Sequence, residues 1–341
     1  MQKANYARSF LLCLFSAAMV CAQDMVLSGA GASFPHPLYK HWIDLYGSNT
    51  GVRIAYDSVG SGEGIRRLLA GEVDFGATDA FLTDEQLSKV PGTVFHLPTC
   101  SGAVVLAYHL PGDPQLRLTE EVIADIFMHN ISNWSDPRIR RLNPDVNLPN
   151  LDIVVLHRSD SSGTTFVFTD YLSKVSPVWR KSVGCGKDVR WPTGMGLERN
   201  DGIAGFITKI PGSIGYMEYG FARSGKLACA SVRNRSGRFI YPSEQTITAA
   251  ADVDIPDDTR MMITDTAAEN GYPISTFSWL IFRSKDGRIT GAEEKDRQLR
   301  RFLEWILKDG QQQYGGLYYA PMPSRVIGKA GAVVRRMYEG Q

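Results

Sequence analysis

Three segments of the chain share one arrangement, in which a strand-like stretch is followed by a glycine- and serine-rich turn and then by a helix start. They are residues 29–35 (GAGASFP), 58–64 (SVGSGEG) and 158–165 (RSDSSGTT). A helix start leaves backbone N–H groups unpaired and carries the positive end of the helix dipole, so it attracts anions. One such turn is more often an ordinary helix cap. Three in one chain, one of them beside an arginine, predict a shared anion site.

Charged side chains accompany these turns. Asp79, at the end of the segment 73–79 (VDFGATD), is predicted to face the anion. A carboxylate accepts a hydrogen bond from a phosphate that still carries a proton, whereas fully ionised sulfate has no proton to give. The alternative is that Asp79 caps a turn or a helix before Thr83. Arg158 offers a planar fork suited to an oxyanion, and Asp160 is predicted to hold that fork in place.

Other kinds of chemistry find little support in the sequence. No segment matches the nucleotide-binding pattern G-x-x-x-x-G-K-[ST], and no G-x-S-x-G turn indicates a hydrolase. The six histidines show no metal-ligand spacing. Ser162 beside His157 is conceivable as a nucleophile, but the helix-start anion site already explains that serine. We therefore expect no catalytic residue, no metal and no cofactor.

Length and charge limit the remaining possibilities. The chain has 341 residues, which favours two domains, and its net charge is +1 from 37 basic and 36 acidic side chains. This balance gives no broad basic surface for nucleic acid or for an anionic membrane. An anionic ligand must therefore be held by local groups.

The hydrophobic patterns that have to position these residues alternate between strand and helix. Apolar residues at every second position in 52–56 predict a half-buried strand, and Leu38, Trp42 and Leu45 repeat at helical spacing. The compact apolar run 153–157 predicts a buried parallel strand. Alternation of this kind predicts an α/β fold.

The N-terminus predicts export. Lys3 and Arg8 precede an apolar stretch, 9–20, that is too short to span a bilayer and is followed by Cys21 and Ala22. This pattern is typical of a secretory signal peptide cleaved after Ala22, which indicates a periplasmic protein. The alternative is a lipid anchor on Cys21, although the residue before that cysteine is not small.

Cleavage at that point leaves three cysteines, Cys100, Cys185 and Cys229, so at most one internal disulfide can form. They fit buried small hydrophobic residues. A Cys185–Cys229 or a Cys100–Cys185 bridge also remains possible in an oxidising compartment.

Four longer segments contain these motifs: 29–46 (GAGASFPHPLYKHWIDLY), 56–82 (YDSVGSGEGIRRLLAGEVDFGATDAFL), 157–172 (HRSDSSGTTFVFTDYL) and 200–219 (NDGIAGFITKIPGSIGYMEY). Together they resemble the phosphate-binding receptors of bacterial high-affinity phosphate ABC transporters. The resemblance implies a two-lobed periplasmic binding protein fold of type II, with two α/β domains joined by two crossover strands and closing on the ligand.

The resemblance also implies a ligand set, with Asp160 in support: Ser33, Phe34, Ser61, Asp79, Arg158, Ser162, Gly163 and Thr164. There are two departures from the family's pattern. Ser33 stands where the family commonly has threonine, which keeps the hydroxyl. Glu63 brings an extra acid near the second turn, where it would either weaken anion binding slightly or point to solvent.

The N-terminal pattern makes residues 1–22 a signal peptide. By the same resemblance, 24–99 with 266–341 form lobe 1, and 100–265 form lobe 2, with the phosphate cleft between them. The polar stretch 252–271 indicates a boundary on its own. The implied function is capture of inorganic phosphate by a monomer that delivers it to a membrane ABC permease, without catalysis. The alternatives are a receptor of the same fold for sulfate, molybdate or tungstate, and, less favoured, a secreted phosphatase.

Overall fold

The computed structural model describes residues 26–284 and 289–338. The predicted signal peptide and Cys21 lie outside the described residues. The strands are β1 (Val26–Gly31), β2 (Arg53–Ser58), β3 (Phe75–Thr78), β4 (Thr93–Tyr108), β5 (Arg117–Leu118), β6 (Val154–Arg158), β7 (Met195–Leu197), β8 (Ser213–Glu218), β9 (Ala228–Cys229), β10 (Ser231–Arg233), β11 (Phe239–Ile240) and β12 (Ser275–Ser284).

The helices alternate with these strands along the chain, which confirms the predicted α/β class. They are α1 (His36–Thr50), α2 (Ser61–Ala70), α3 (Asp84–Leu87), α4 (Glu120–Phe127), α5 (Pro137–Leu142), α6 (Gly163–Val175), α7 (Pro177–Ser182), α8 (Arg199–Ile207), α9 (Tyr219–Ser224), α10 (Glu244–Ala251), α11 (Glu293–Lys308) and α12 (Ser324–Met337), with a short 3-10 turn at Gly310–Gln312. No helix among the described residues is both long and apolar enough to cross a membrane.

The sequence patterns predicted strand β2 and helix α1 correctly. Strand β2 alternates between exposed and half-buried residues, as predicted. Helix α1 buries Leu38 and Trp42, but Leu45 is only partly buried, and Tyr39 and Tyr46 complete the buried face instead. The predicted helix is therefore confirmed, with Tyr39 and Tyr46 rather than Leu45 on its buried face.

The large sheet has nine strands in the order β2-β1-β3-β12-β4-β8-β6-β7, with β9 paired to β4. Strands β2, β1 and β3 form one parallel trio, and β8, β6 and β7 form another. The antiparallel strands β12 and β4 lie between the trios. A small separate sheet contains β11, β10 and β5.

The register of β4 sets the relation between the two trios. Thr78, the last residue of β3, lies opposite Trp279, which lies opposite Pro98 of β4. Glu218, the last residue of β8, lies opposite Val104 of β4. Strand β3 runs in the same direction as β4, whereas β8 runs against it. The carboxyl ends of the two trios therefore point toward each other along the stretch from Pro98 to Val104.

Strand β12 is buried on both faces, because apolar groups cover both sides of the sheet at this point. Leu280 and Phe282 belong to the large core that continues into the second trio. Phe277, Trp279 and Ile281 point to a smaller cluster that includes residues of α2 and α12. This explains why the sequence of β12 is an almost continuous apolar run.

The three described cysteines are free: Cys100 and Cys229 are buried and Cys185 is exposed. The two bridges left open by the sequence, Cys185–Cys229 and Cys100–Cys185, are therefore not formed. The two buried thiols behave as small core residues.

Helix α2 packs unusually close to β1, and Gly64 makes this approach possible. A Cβ added at Gly64 would lie 2.3 Å from the Cα of Gly31 and 2.6 Å from the carbonyl oxygen of Ala30. Both are backbone atoms, which cannot turn aside as a flexible side chain can. Gly64 therefore fixes the distance between the start of α2 and the end of β1.

We expect Gly64→Ala to lower the free energy of unfolding by about 2 kcal/mol or more, because the added methyl group overpacks a backbone contact. The matched control is Gly328→Ala in α12, where an added Cβ meets nothing within 4 Å. That change should raise stability by about 0.5–1 kcal/mol, since alanine is the better helix residue. Urea unfolding followed by circular dichroism measures both. Equal stabilities for the two variants would contradict the packing argument.

Candidate functional site

Residues predicted from the sequence to bind an anion all follow the carboxyl ends of parallel strands. Ser33 comes after β1, Ser61 after β2 and Asp79 directly after β3, while Arg158 ends β6 and Ser162 follows it. Ligands of open α/β sheets bind in the crevice outside such strand ends. Because the two trios point toward each other, both groups of residues meet in one cleft.

Arg158 lies at the base of this cleft, and only 3% of its surface is exposed. Its Nε donates to Oδ1 of Asp160 over 2.6 Å, and a second guanidinium nitrogen donates to the other carboxylate oxygen. Its Nη1 donates to Oγ1 of Thr164 over 3.4 Å. The backbone N–H donates to the Tyr216 hydroxyl. The ion pair with Asp160 orients the guanidinium and cancels its charge.

Asp79 is buried on the opposite side of the cleft. The Ser278 hydroxyl donates to its Oδ1 over 2.8 Å, and the backbone N–H of Asp79 donates to Oγ of Ser61 over 3.4 Å. Burial raises the pKa of Asp79 to about 7, although the bond from Ser278 and the charge of Arg158 oppose the shift. Asp79 caps no helix, because Thr83 caps α3. The alternative interpretation as a cap was therefore wrong.

The start of α6 presses directly against the residues of the first trio. A Cβ added at Gly163 would lie 2.3 Å from Oγ of Ser61 and 2.6 Å from Oδ2 of Asp79. Close by, the backbone N–H of Gly62 donates to the carbonyl of Ser161 over 3.0 Å. The two sides of the cleft are thus in contact, and glycine is the residue that fits between them.

Backbone N–H groups converge on the same place. Among the described residues, the amides of Phe34, Ser61, Gly163 and Thr164 donate to no protein acceptor. The side chain of Phe34 is buried in the core, and its carbonyl accepts a bond from the Tyr319 hydroxyl over 2.6 Å. The amides at the starts of α2 and α6 are therefore free to donate to an anion.

The hydroxyl groups of Ser162 and Ser61 both accept a hydrogen bond from a backbone N–H group. Oγ of Ser162 accepts from the N–H of Thr165 over 3.1 Å, as expected for the cap of α6. Oγ of Ser61 accepts from the Asp79 amide. Neither hydroxyl donates to a protein acceptor within the described part of the chain. Because a hydroxyl carries one hydrogen, both keep it for a ligand.

One polar residue of the cleft, Asn200, was not predicted from the sequence, and it is fully buried. Its Nδ2 donates to Oγ of Ser33 over 3.1 Å and to Oγ1 of Thr164 over 3.3 Å. Its Oδ1 accepts the backbone N–H of Glu218 over 3.0 Å. The only feature that could have indicated Asn200 was its position at the beginning of the segment 200–219, which carries the family resemblance.

Two further residues escaped prediction because they sit in apolar surroundings. Ser278 lies inside the hydrophobic strand β12. Glu218 ends the buried strand β8 and caps α9 by accepting the N–H groups of Gly220 and Phe221. Burial raises the pKa of Glu218 to about 8. Ser278 therefore adds a polar group beside Asp79, whereas the Glu218 carboxylate is occupied by the start of α9 and the Tyr319 hydroxyl.

Glu63, the extra acid near the second turn, is directed away from the anion groups. Its carboxylate accepts bonds from Arg66 and Arg67, which lower its pKa to about 2. Its side chain is partly exposed on the outer face of α2. The expected alternative, in which Glu63 is turned toward solvent, fits this geometry.

A cavity of about 180 Å³ borders Arg158 and Asp160. It is also lined by Lys187, whose pKa is lowered by burial, and by the stacked rings of His157 and Trp191. Lys187 is a second cation near the site that the sequence did not indicate. Within the described residues, no group of His, Cys, Asp and Glu is arranged to hold a metal ion.

Comparisons with known proteins identify the relatives of this chain. Residues 20–309 match a family model described as a PBP superfamily domain. The chain is 39% identical over 331 residues to the phosphate-binding protein PstS of Pasteurella multocida, covering 95% of this chain and 94% of that protein. It is 37% identical over 311 residues to PstS of Haemophilus influenzae, covering 90% of this chain and 91% of the relative.

A solved structure shares the fold. A high-affinity periplasmic phosphate-binding protein (PfluDING), bound with phosphate, superposes with a TM-score of 0.73 at 21% identity, covering 90% of this chain and 93% of that one. This match and the family model confirm the predicted two-lobed periplasmic binding protein fold. The chain belongs to the PBP superfamily and, within it, to the family of PstS phosphate-binding proteins.

Proposed function

We propose that the protein captures inorganic phosphate in this cleft and delivers it to the permease of a membrane ABC transporter. The observation that carries the proposal is the pairing of many neutral donors with Asp79, the buried carboxyl that lies beside the start of α6. The relatives in Pasteurella multocida and Haemophilus influenzae are phosphate-binding proteins, which supports the same ligand here.

The proposed ligands number eight, and they provide both backbone and side-chain donors. Asp160 supports them by holding the arginine in position. The set is Ser33, Phe34, Ser61, Asp79, Arg158, Ser162, Gly163 and Thr164. Since Asp160 cancels the charge of Arg158, oriented dipoles hold most of the anion's charge.

Asp79 would select phosphate by its proton. With a pKa of about 7, the buried carboxyl and a phosphate share one proton, whichever partner carries it at the start. Sulfate brings no proton of its own. Sulfate therefore binds only when Asp79 itself is protonated and can donate.

The protein is proposed to act outside the cytoplasmic membrane as a monomer and to leave the anion chemically unchanged. The signal-peptide pattern of residues 1–22 supports export. Lobe 1 is proposed to consist of 24–99 and 266–341, and lobe 2 of 100–265, with the phosphate cleft between them. Both lobes contribute ligands, so binding would favour the closed form.

We expect Asp79→Asn to remove the preference for phosphate. An amide can donate to sulfate at every pH, and loss of a charge-assisted bond should weaken phosphate about ten- to hundredfold. In the unmodified protein, sulfate affinity should be constant below about pH 7 and fall up to about tenfold per pH unit above it, because binding then takes up a proton. In the Asp79→Asn variant, sulfate affinity should not depend on pH. Calorimetric titrations with both anions measure this.

The matched control is Asp145→Asn, which changes an exposed carboxylate. That protein should keep both the phosphate preference and the pH dependence of sulfate binding. If the sulfate affinity of the unmodified protein does not change with pH, then Asp79 does not distinguish the two anions by the proton that phosphate carries. If sulfate binds as well as phosphate at every pH, the receptor serves another oxyanion.

A second expectation concerns closure. Gly163→Ala should reduce phosphate affinity at least about a hundredfold, because the new methyl group would occupy the space of Ser61 and Asp79. Small-angle scattering should show that phosphate reduces the radius of gyration of the unmodified protein but not of this variant.

The control for closure is Gly205→Ala in α8, where an added Cβ meets nothing within 4 Å. This protein should bind phosphate and contract as the unmodified one does. Thermal unfolding without phosphate checks that both variants are folded. A Gly163→Ala protein that contracts normally on phosphate would refute the role of this contact in closure.

A further inference from the structure

We propose that Asn200 determines the specificity of the cleft by fixing the direction of two hydrogen bonds, one on each side. Its amide forces the hydroxyls of Ser33 and Thr164 to act as donors to the anion. The inference rests on the proposed function, since it adds a residue to the proposed phosphate site. Asn200 is a positioning residue that acts through these two hydroxyls.

The orientation of the Asn200 amide follows from its third partner. The backbone N–H of Glu218 can only donate, and it lies 3.0 Å from one end of the amide. That end must therefore be the oxygen Oδ1. The NH2 group then faces Ser33 and Thr164, at 3.1 Å and 3.3 Å. The main chain of β8 thus sets which end of the side chain points into the cleft.

As a consequence, each of the two hydroxyls accepts from the protein and keeps its hydrogen for another acceptor. Oγ of Ser33 accepts from Asn200, so its hydrogen is directed elsewhere. Oγ1 of Thr164 accepts from both Asn200 and Nη1 of Arg158, which uses both of its lone pairs. Its hydrogen can only go to a further acceptor. Neither hydroxyl donates to another protein group among the described residues.

Asn200 completes a pattern that Ser61 and Ser162 already show. Those two hydroxyls accept from backbone N–H groups, whereas Ser33 accepts from the Asn200 side chain and Thr164 accepts from Asn200 and Arg158. With all four turned the same way, Asp79 is the carboxyl left to accept a proton from the anion. The cleft then fits an oxyanion that carries one proton and accepts every other bond.

Asn200 also connects the two sides of the cleft. Ser33 follows β1 in the first trio, and Thr164 belongs to α6, which follows β6 in the second. The bond to Ser33 joins residues 167 positions apart. The correct hydroxyl direction at Ser33 is therefore established only when the two sides meet, which ties donor alignment to closure.

The test compares the phosphate affinities of two variants of Asn200. If Asn200 sets the hydroxyl directions, one variant binds phosphate more weakly, and if it only supports the packing, the other one does. Asn200→Asp keeps the size of the side chain but accepts from both hydroxyls, so their hydrogens turn away from the anion. Asn200→Ala removes the amide and leaves the hydroxyls free to rotate. We expect phosphate affinity to fall at least about tenfold further in the aspartate variant than in the alanine variant. A structural role predicts the opposite order, because aspartate preserves packing better.

A double-mutant cycle with Ser33→Ala separates hydroxyl direction from simple charge repulsion. If Asn200→Asp acts through Ser33, then Ser33→Ala should weaken phosphate binding strongly in the unmodified protein but less than about threefold in the aspartate variant. Repulsion alone would make the two effects additive. Thermal unfolding without phosphate shows which variants are folded. If the aspartate protein does not fold, the same cycle with Asn200→Ala decides, and non-additivity is again expected.

The outcomes keep the two proposals apart. An unmodified protein that binds no phosphate in calorimetry overturns the proposed function. Normal phosphate binding by the unmodified protein, with an aspartate variant no weaker than the alanine variant or with additive effects at Ser33, overturns only the role of Asn200.

Discussion

One strand, β4, belongs to both halves of the large sheet, and the site depends on this arrangement. It pairs with β12 along its first part and with β8 along its last part. The parallel strands on its two sides therefore run toward a common level, and their carboxyl ends meet there. Each trio delivers helix starts, hydroxyls and charged side chains to the same cleft, from segments far apart in the chain. An anion completes its shell only when both sides contribute.

The electrostatics of the cleft follow from burial. An isolated buried arginine would be costly, and Asp160 compensates Arg158 with two hydrogen bonds. Asp79 is buried too, and among the described residues it has no ion-pair partner of its own. Burial therefore raises its pKa to about 7. What remains is a set of oriented amides and hydroxyls whose direction the fold has already fixed. Such dipoles need no reorganisation when the anion enters, so they stabilise charge without a net positive site.

The local sequence was sufficient to predict those parts of the site whose residues are neighbours in the chain. A strand, a glycine–serine turn and a helix start are encoded within about ten residues, and Arg158 and Asp160 are two positions apart. Asn200 and Ser278 could not be predicted in this way, because their partners lie 167 and 199 residues distant. Ser278 looks like part of an apolar strand. The pairing of β12, from the C-terminal part of the chain, with β3, from the N-terminal part, is likewise a long-range property.

The central claim is that neutral, pre-oriented dipoles hold the anion, and salt tests it most directly. Exposed charge pairs lose much of their strength between about 0.05 and 0.5 M chloride, whereas buried contacts are screened far less. We predict that the phosphate dissociation constant changes only a few-fold over about this range. Arg158→Met should weaken phosphate binding strongly but leave that shallow salt dependence in place. A steep loss of affinity with salt in the unmodified protein would contradict the account and would indicate that exposed cations hold the anion.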